Sequence, residues 1–119
     1  MAGRQPKSTR GARVDELVRQ VISEALVGMA DPRLRLVTIT GARTTKDSAY
    51  ADVWFQAPGD QRRADRALAG LEAARGLLQQ RLNAELHLRR TPVLRFHLDP
   101  SLEQGQRIEK LIRETEGDT

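Results

Sequence analysis

Two hydrophobic periodicities divide the chain. Val14, Leu17, Val18, Val21, Ile22, Ala25, Leu26 and Met29 recur at the i, i+3, i+4, i+7 spacing of one helix face. That stripe predicts a first helix from about Arg10, ended by Gly28 and Pro32. Leu34 to Thr45 is rich in β-branched residues; Val37 and Ile39 share a face, but Ala42 falls out of phase beyond Gly41, as a β-bulge would make it. Thr44-Thr45-Lys46-Asp47-Ser48 has the composition of a hairpin turn. Ala49, Ala51, Val53 and Phe55 then alternate with Tyr50, Asp52, Trp54 and Gln56, predicting a second strand that Pro58-Gly59 stops. A third strand follows from Leu94, Phe96 and Leu98 alternating with Arg95, His97 and Asp99. Ser101 with Gln104 is a capping-box pattern, and Ile108, Leu111 and Ile112 form the apolar edge of a last short helix.

Between strands two and three lies a longer helical pattern, with Asp60 placed to cap its start. At 100° per residue Ala64, Ala67, Leu68, Leu71, Leu78, Leu82 and Leu86 share one narrow face. Position 75 falls at the centre of that face, and it is Arg75, flanked by Ala74 and Gly76. An unbroken helix would bury an unpaired guanidinium at several kcal/mol, with ~1 kcal/mol more for the glycine. Breaking the helix at Ala74-Arg75-Gly76 relieves both, so the expectation is a helix pair from about Asp60 to about Leu88, with Arg75 beside exposed backbone amides suited to a phosphate. The order is then α-β-β-α-α-β-α: an α+β two-layer sandwich whose third strand returns to the sheet of the hairpin. Residues 1–9 read as a flexible basic arm, 10–114 as one domain and 115–119 as a disordered tail.

Charge sharpens this picture. The 119 residues carry a net +4, and 17 of the 20 basic side chains are arginine, the better residue for bidentate phosphate contacts. Residues 61–95 hold eight basic and three acidic groups, whereas residues 96–119 hold three and six. The excess thus gathers around the long helical pattern, which points to nucleic acid. Arg81, Arg89 and Arg90, on or just after that pattern, are candidates for phosphate contact, against ordinary salt-bridging or solvation. Arg10, Arg13 and Lys46 would extend the same basic surface. Tyr50 and Trp54 on the outer sheet face offer base stacking, although cross-strand packing is the favoured reading.

Other chemistries find little support. There is no cysteine, hence no disulfide or thiolate metal site, and no uncharged apolar run approaches the ~18 residues of a membrane span. Met1 to Arg10 lacks the apolar segment of a signal peptide. His87 and His97 have no third ligand spaced to join them, and Ser23, Ser48 and Ser101 have no adjacent base. The expectation is a protein without catalysis or cofactor. A protein-docking module remains the competing reading.

The element order α-β-β-α-α-β is that of the type II KH RNA-binding fold. Asp31-Pro32-Arg33, Val37-Thr38-Ile39-Thr40, Ala49-Tyr50-Ala51, Leu88-Arg89, Pro92, Leu94 and Phe96 stand in sequence, followed by Asp99, Ser101-Leu102, Gly105, Arg107-Ile108 and Leu111-Ile112. Together, over roughly residues 10–113, they resemble the ribosome-binding factor A family. The resemblance extends to Ala74-Arg75-Gly76, which matches that family's Ala-x-Gly variant of the KH Gly-x-x-Gly loop. It implies a monomeric, cytoplasmic, non-catalytic factor that binds the free 30S subunit and its 16S rRNA, assists late maturation and 5′-end processing, and matters most in the cold. A small-subunit assembly GTPase is the further partner it implies. Several relatives carry a long basic C-terminal extension, whereas this chain is acidic there.

Overall fold

A computed structural model of the chain describes residues 9–87 and 89–100. The basic arm (bar Thr9), the last short helix and the C-terminal tail expected from the sequence lie outside these residues. The first aliphatic stripe forms α1 (Thr9–Val27), which buries Val18, Val21, Ile22, Ala25 and Leu26 and leaves Leu17 exposed at the edge of the stripe. A 3-10 turn (Pro32–Leu34) follows, capped by Asp31, whose carboxylate accepts from the Arg33 amide. Leu36, with φ 67°, then turns the chain into β1 (Thr38–Thr44).

β1 pairs antiparallel with β2 (Tyr50–Gln56), and the register shifts between Ile39 and Gly41. That shift is the bulge expected from the phase change at Ala42. The connecting turn is closed by Thr45 and Asp47: the Asp47 carboxylate accepts from the Ala49 amide at 3.0 Å and from the Thr45 hydroxyl at 2.8 Å. Ala51, Val53 and Phe55 are fully buried, as their alternation requires. β3 (Val93–Leu98) runs parallel to β2, giving the strand order β1-β2-β3. Both helices cover one face of this sheet, α1 over β1 and α2 over β3.

The region expected to be a helix pair is one helix. α2 (Gln61–Leu86) runs unbroken for 26 residues, capped at its start by the Asp60 carboxylate on the Arg63 amide and ended by His87 in the left-handed conformation. The bend at Ala74-Arg75-Gly76 is therefore corrected, and the reason lies in which residues define the buried stripe. Ala64, Ala67, Gly70, Leu71, Ala74, Leu78 and Leu82 face the core. Ala74, not position 75, occupies the middle of that face, because four small residues mark a line of close approach that a count of leucines misplaces. Gly70 shows how close: an added Cβ would lie 3.0 Å from Arg33 Cβ and from Leu34 Cδ2. Arg75 lies at the flank and is not entombed.

β3 is an edge strand, and α2 tends its free edge. Gln79 Oε1 accepts from the Leu94 amide at 2.7 Å, while Gln79 Nε2 donates to the Pro92 carbonyl at 3.0 Å. One side-chain amide thus satisfies two main-chain groups that a further strand would otherwise pair.

An added Cβ at Gly76 would meet nothing within 4 Å. In an unbroken helix Gly76→Ala therefore gains helix propensity without strain, stabilising the protein by ~1 kcal/mol and raising Tm by about 3–6 °C. Gly59→Ala has the opposite sign, because Gly59 has φ 118° and an added Cβ would come within 2.5 Å of Arg63 Cδ. Thermal melts of both variants check this; a lower Tm for Gly76→Ala would restore the bend.

Candidate nucleic-acid interface

Arg75 projects from the flank of α2 toward β3. Its guanidinium carbon lies 5.7 Å from the centroid of the Phe96 ring, Nη2 pairs with Glu72, and the side chain stays 37% exposed. Nε is buried without a hydrogen-bond partner, so the ring face and the carboxylate together hold the cation in place. Backbone amides at this point are consumed by the helix, and the phosphate cradle expected from a helix break is absent. Ala74 is buried, at 8% exposure, whereas Gly76 is exposed beside Arg75. Arg75 remains as a partly exposed cation between α2 and β3.

Most of the other candidate cations converge on one end of the sandwich. The Asp15 carboxylate accepts from the Thr44 amide at 2.7 Å, fastening the start of α1, with exposed Arg10 and Arg13, to the hairpin end of β1. The Val93 amide bonds the Ala49 carbonyl at 2.9 Å, bringing the α2–β3 connection, with exposed Arg89 and Arg90, to the same hairpin, where Lys46 is exposed. The Ala49 amide and the Thr45 hydroxyl hold the Asp47 carboxyl below its ordinary range, and Arg90 adds to that depression from across the gap. Arg81 sits near this end of α2 but is paired with Glu85 at 3.6 Å.

Tyr50 and Trp54 take the outward positions their alternation assigns, and each has a partner there. Arg95 lies 4.1 Å from the centroid of the Tyr50 ring, and the rings of Trp54 and His97 are 5.4 Å apart and tilted by 34°. Asp52 ties the group together, accepting from Arg95 Nε at 2.8 Å and Nη2 at 2.9 Å, with His97 Nε2 at 2.7 Å. This is cross-strand packing of the favoured kind. Partial burial raises the Asp52 pKa, but the hydrogen bonds from Arg95 and His97 outweigh it, and the net shift is downward.

Periodicity does not reveal a second basic cluster. Arg33, Arg35, Arg63 and Arg66 come from two distant segments and line one cavity at the opposite end of α2. The signals available in the sequence are Asp31-Pro32-Arg33 and the run of arginines opening α2. Among the described residues no group of three His, Cys, Asp or Glu side chains is placed to hold a metal, and no helix is long and apolar enough to cross a membrane.

A three-stranded sheet with a parallel β2–β3 pair, helices on one face and cations gathered at its hairpin end defines a KH-like α+β domain. A family model described as Ribosome-binding factor A matches residues 10–112. A ribosome-binding factor A from Anaeromyxobacter sp. (strain K) is 44% identical over 107 residues, covering 88% of this chain and 78% of that one. The crystal structure of ribosome-binding factor A from Thermus thermophilus superposes with a TM-score of 0.68 at 27% identity, covering 74% of this chain and 94% of that one. A Thermus thermophilus ribosome-binding factor A, fitted as a homology model into a cryo-EM map of a 30S complex, gives a TM-score of 0.60 at 28% identity, covering 73% and 92%. The chain belongs to the ribosome-binding factor A family.

The depressed Asp52 pKa sets an acid-side prediction. The unfolded carboxyl titrates near pH 4, so the Arg95 and His97 contacts contribute fully above that pH and are lost as pH falls through the lower folded value. Asp52→Asn should lower Tm at neutral pH and make its decline below about pH 4 shallower. An acid limb parallel to that of the wild type would remove Asp52 from the account.

Proposed function

We propose that this chain is a non-catalytic RNA-binding factor that associates with the free 30S subunit and assists late small-subunit maturation, including processing of the 16S rRNA 5′ end. Residues 10–114 carry the activity, acting as a monomer in the cytoplasm, and the need for it is greatest in the cold. The observation that carries the reading is the convergence of exposed Arg10, Arg13, Lys46, Arg89 and Arg90 from three separate elements on one end of the domain. A family relative fitted into a 30S complex supports the choice of partner. Elements that packing alone would not require to share a charge do share one, as phosphate recognition demands.

Arg75 and Gly76 extend this surface along the face between α2 and β3. Arg75 acts there as a cation pre-oriented by Glu72 and Phe96. Arg81 contributes less, since Glu85 partly neutralises it. Ala74 seats the helix without touching RNA. No cofactor enters. Preference for immature over mature subunits rests on differential affinity for the two states of the particle, and a small-subunit assembly GTPase acting on the mature state would complete the cycle.

With about five phosphate contacts, log affinity should fall with log salt at a slope near −3.5 to −4.5, or about 10²-fold between 50 and 200 mM. Sedimentation in sucrose gradients should place the protein with 30S and not 70S particles. The triple variant Lys46→Gln/Arg89→Gln/Arg90→Gln should lose that association at 200 mM salt while keeping its Tm. A salt-independent association, or one the triple variant retains, would assign the contact to protein docking.

A further inference from the structure

The cavity at the start of α2 is built in a way that solvation of surface charge does not require. It measures about 240 Å³ and is lined by Pro32, Arg33, Arg35 and Leu36 on one side, and by Ala57, Pro58, Arg63 and Arg66 on the other. Two glycines make room for it. Gly70 lets the turn bearing Arg33 press against α2, and Gly59 leaves the space through which the Arg63 side chain passes. Four guanidinium-bearing side chains thus meet at one cavity although they come from the α1–β1 connection and from the first two turns of α2.

The nearby carboxylates have partners other than the Arg35, Arg63 and Arg66 side chains. Asp31 binds the Arg33 amide and, through both oxygens, the Arg33 guanidinium at 2.8–3.1 Å. Asp60 caps the Arg63 amide, and Asp65 accepts from Gln61 Nε2 at 2.9 Å. Among the described residues Arg35, Arg63 and Arg66 make no ion pair. The Asp31 carboxyl is held low chiefly by Arg33, with Arg66 adding to it through space, which places the Arg66 charge beside the same turn. No acidic residue occupies the first turn of α2; the Asp60 carboxylate at its N-cap is taken by the Arg63 amide and forms no ion pair with the three arginines. Guanidinium groups gathered at one cavity without ion-pair partners of their own are held more favourably around an anion.

We infer that this cavity is a phosphate subsite in which Arg35, Arg63 and Arg66 hold a phosphodiester group of RNA, separate from the basic hairpin end. The inference rests on the RNA-binding reading given above. The two loci lie at opposite ends of α2, about 30 Å apart at 1.5 Å of rise per residue. A bound RNA therefore meets the protein at two separated points, and α2 acts as a strut that fixes their distance.

Binding of the full chain to protein-free, in vitro-transcribed 16S rRNA, measured from 50 to 200 mM KCl, tests this. Arg63→Gln/Arg66→Gln should bind at least tenfold more weakly at 100 mM, with a salt slope shallower by about 1.5, and should keep its Tm. Arg62→Gln, on the same helix turn but outside the cavity lining, should stay within twofold of the wild type. The double variant matching the wild type in affinity and slope would overturn the inference. So would a loss seen on 30S particles but not on naked RNA, which would assign the cavity to an acidic protein. A wild type that binds neither 30S nor rRNA would instead defeat the function proposed above. In that case titration with inorganic phosphate, followed by the Arg63 and Arg66 amide resonances, still decides: saturable shifts absent from the double variant support the subsite, and unsaturable shifts sink it.

Discussion

Close contact along the small-residue face of α2 is the constraint on which the other features depend. Ala64, Ala67, Gly70 and Ala74 let one straight run of helix lie against the sheet and against the 3-10 turn. Larger side chains there would lift the helix, and Gln79 could no longer reach the Pro92 carbonyl and the Leu94 amide. The same closeness brings Arg75 over Phe96 and seats Arg33 beside the cavity at the start of the helix. Position along α2 thus decides which cations face the edge of β3, which approach the hairpin and which gather at the far end.

The charges on this frame are sorted by whether they have partners. Asp52 collects Arg95 and His97 on the outer sheet face, Glu16 takes Arg19, and Asp31 takes Arg33. The Glu16 and Asp31 pairs are exposed or half-exposed and individually contribute little to stability, whereas Asp52, partly buried and bonded to two partners, contributes more. Among the described residues, the candidate cations without such partners fall at the two ends of α2, and that separation distinguishes them from a uniformly solvated basic surface.

Local information carried much of the architecture. The α1 stripe, the alternation of β2, the phase change that marks the bulge at Gly41 and the Asp60 cap all depend on residues within a few positions of one another, so spacing reveals them. The continuity of α2 was not legible in the same way. Whether an arginine in a helix is buried or flanking depends on the shape of the opposing surface, and that surface is made by β3 and the 3-10 turn, 20 to 40 residues away in sequence. The hairpin-end cations were legible individually as exposed basic residues, but their convergence follows from Asp15 meeting Thr44 and Ala49 meeting Val93. The arginine-lined cavity was not legible, because its members look like ordinary solvated charges until Gly59 and Gly70 bring them together.

The parallel pairing of β2 with β3 has a consequence for how the molecule is made. β1 and β2 can zip through a short turn as soon as residue 56 is available, but the central strand keeps one side open until the whole of α2 and then β3 have been synthesised. Ordering of the sheet is therefore completed late, by a crossover whose loop-closure entropy falls due before its contacts form. During translation α1, made first, is already present to cover β1, whereas α2 meets the strand it packs on only when β3 emerges.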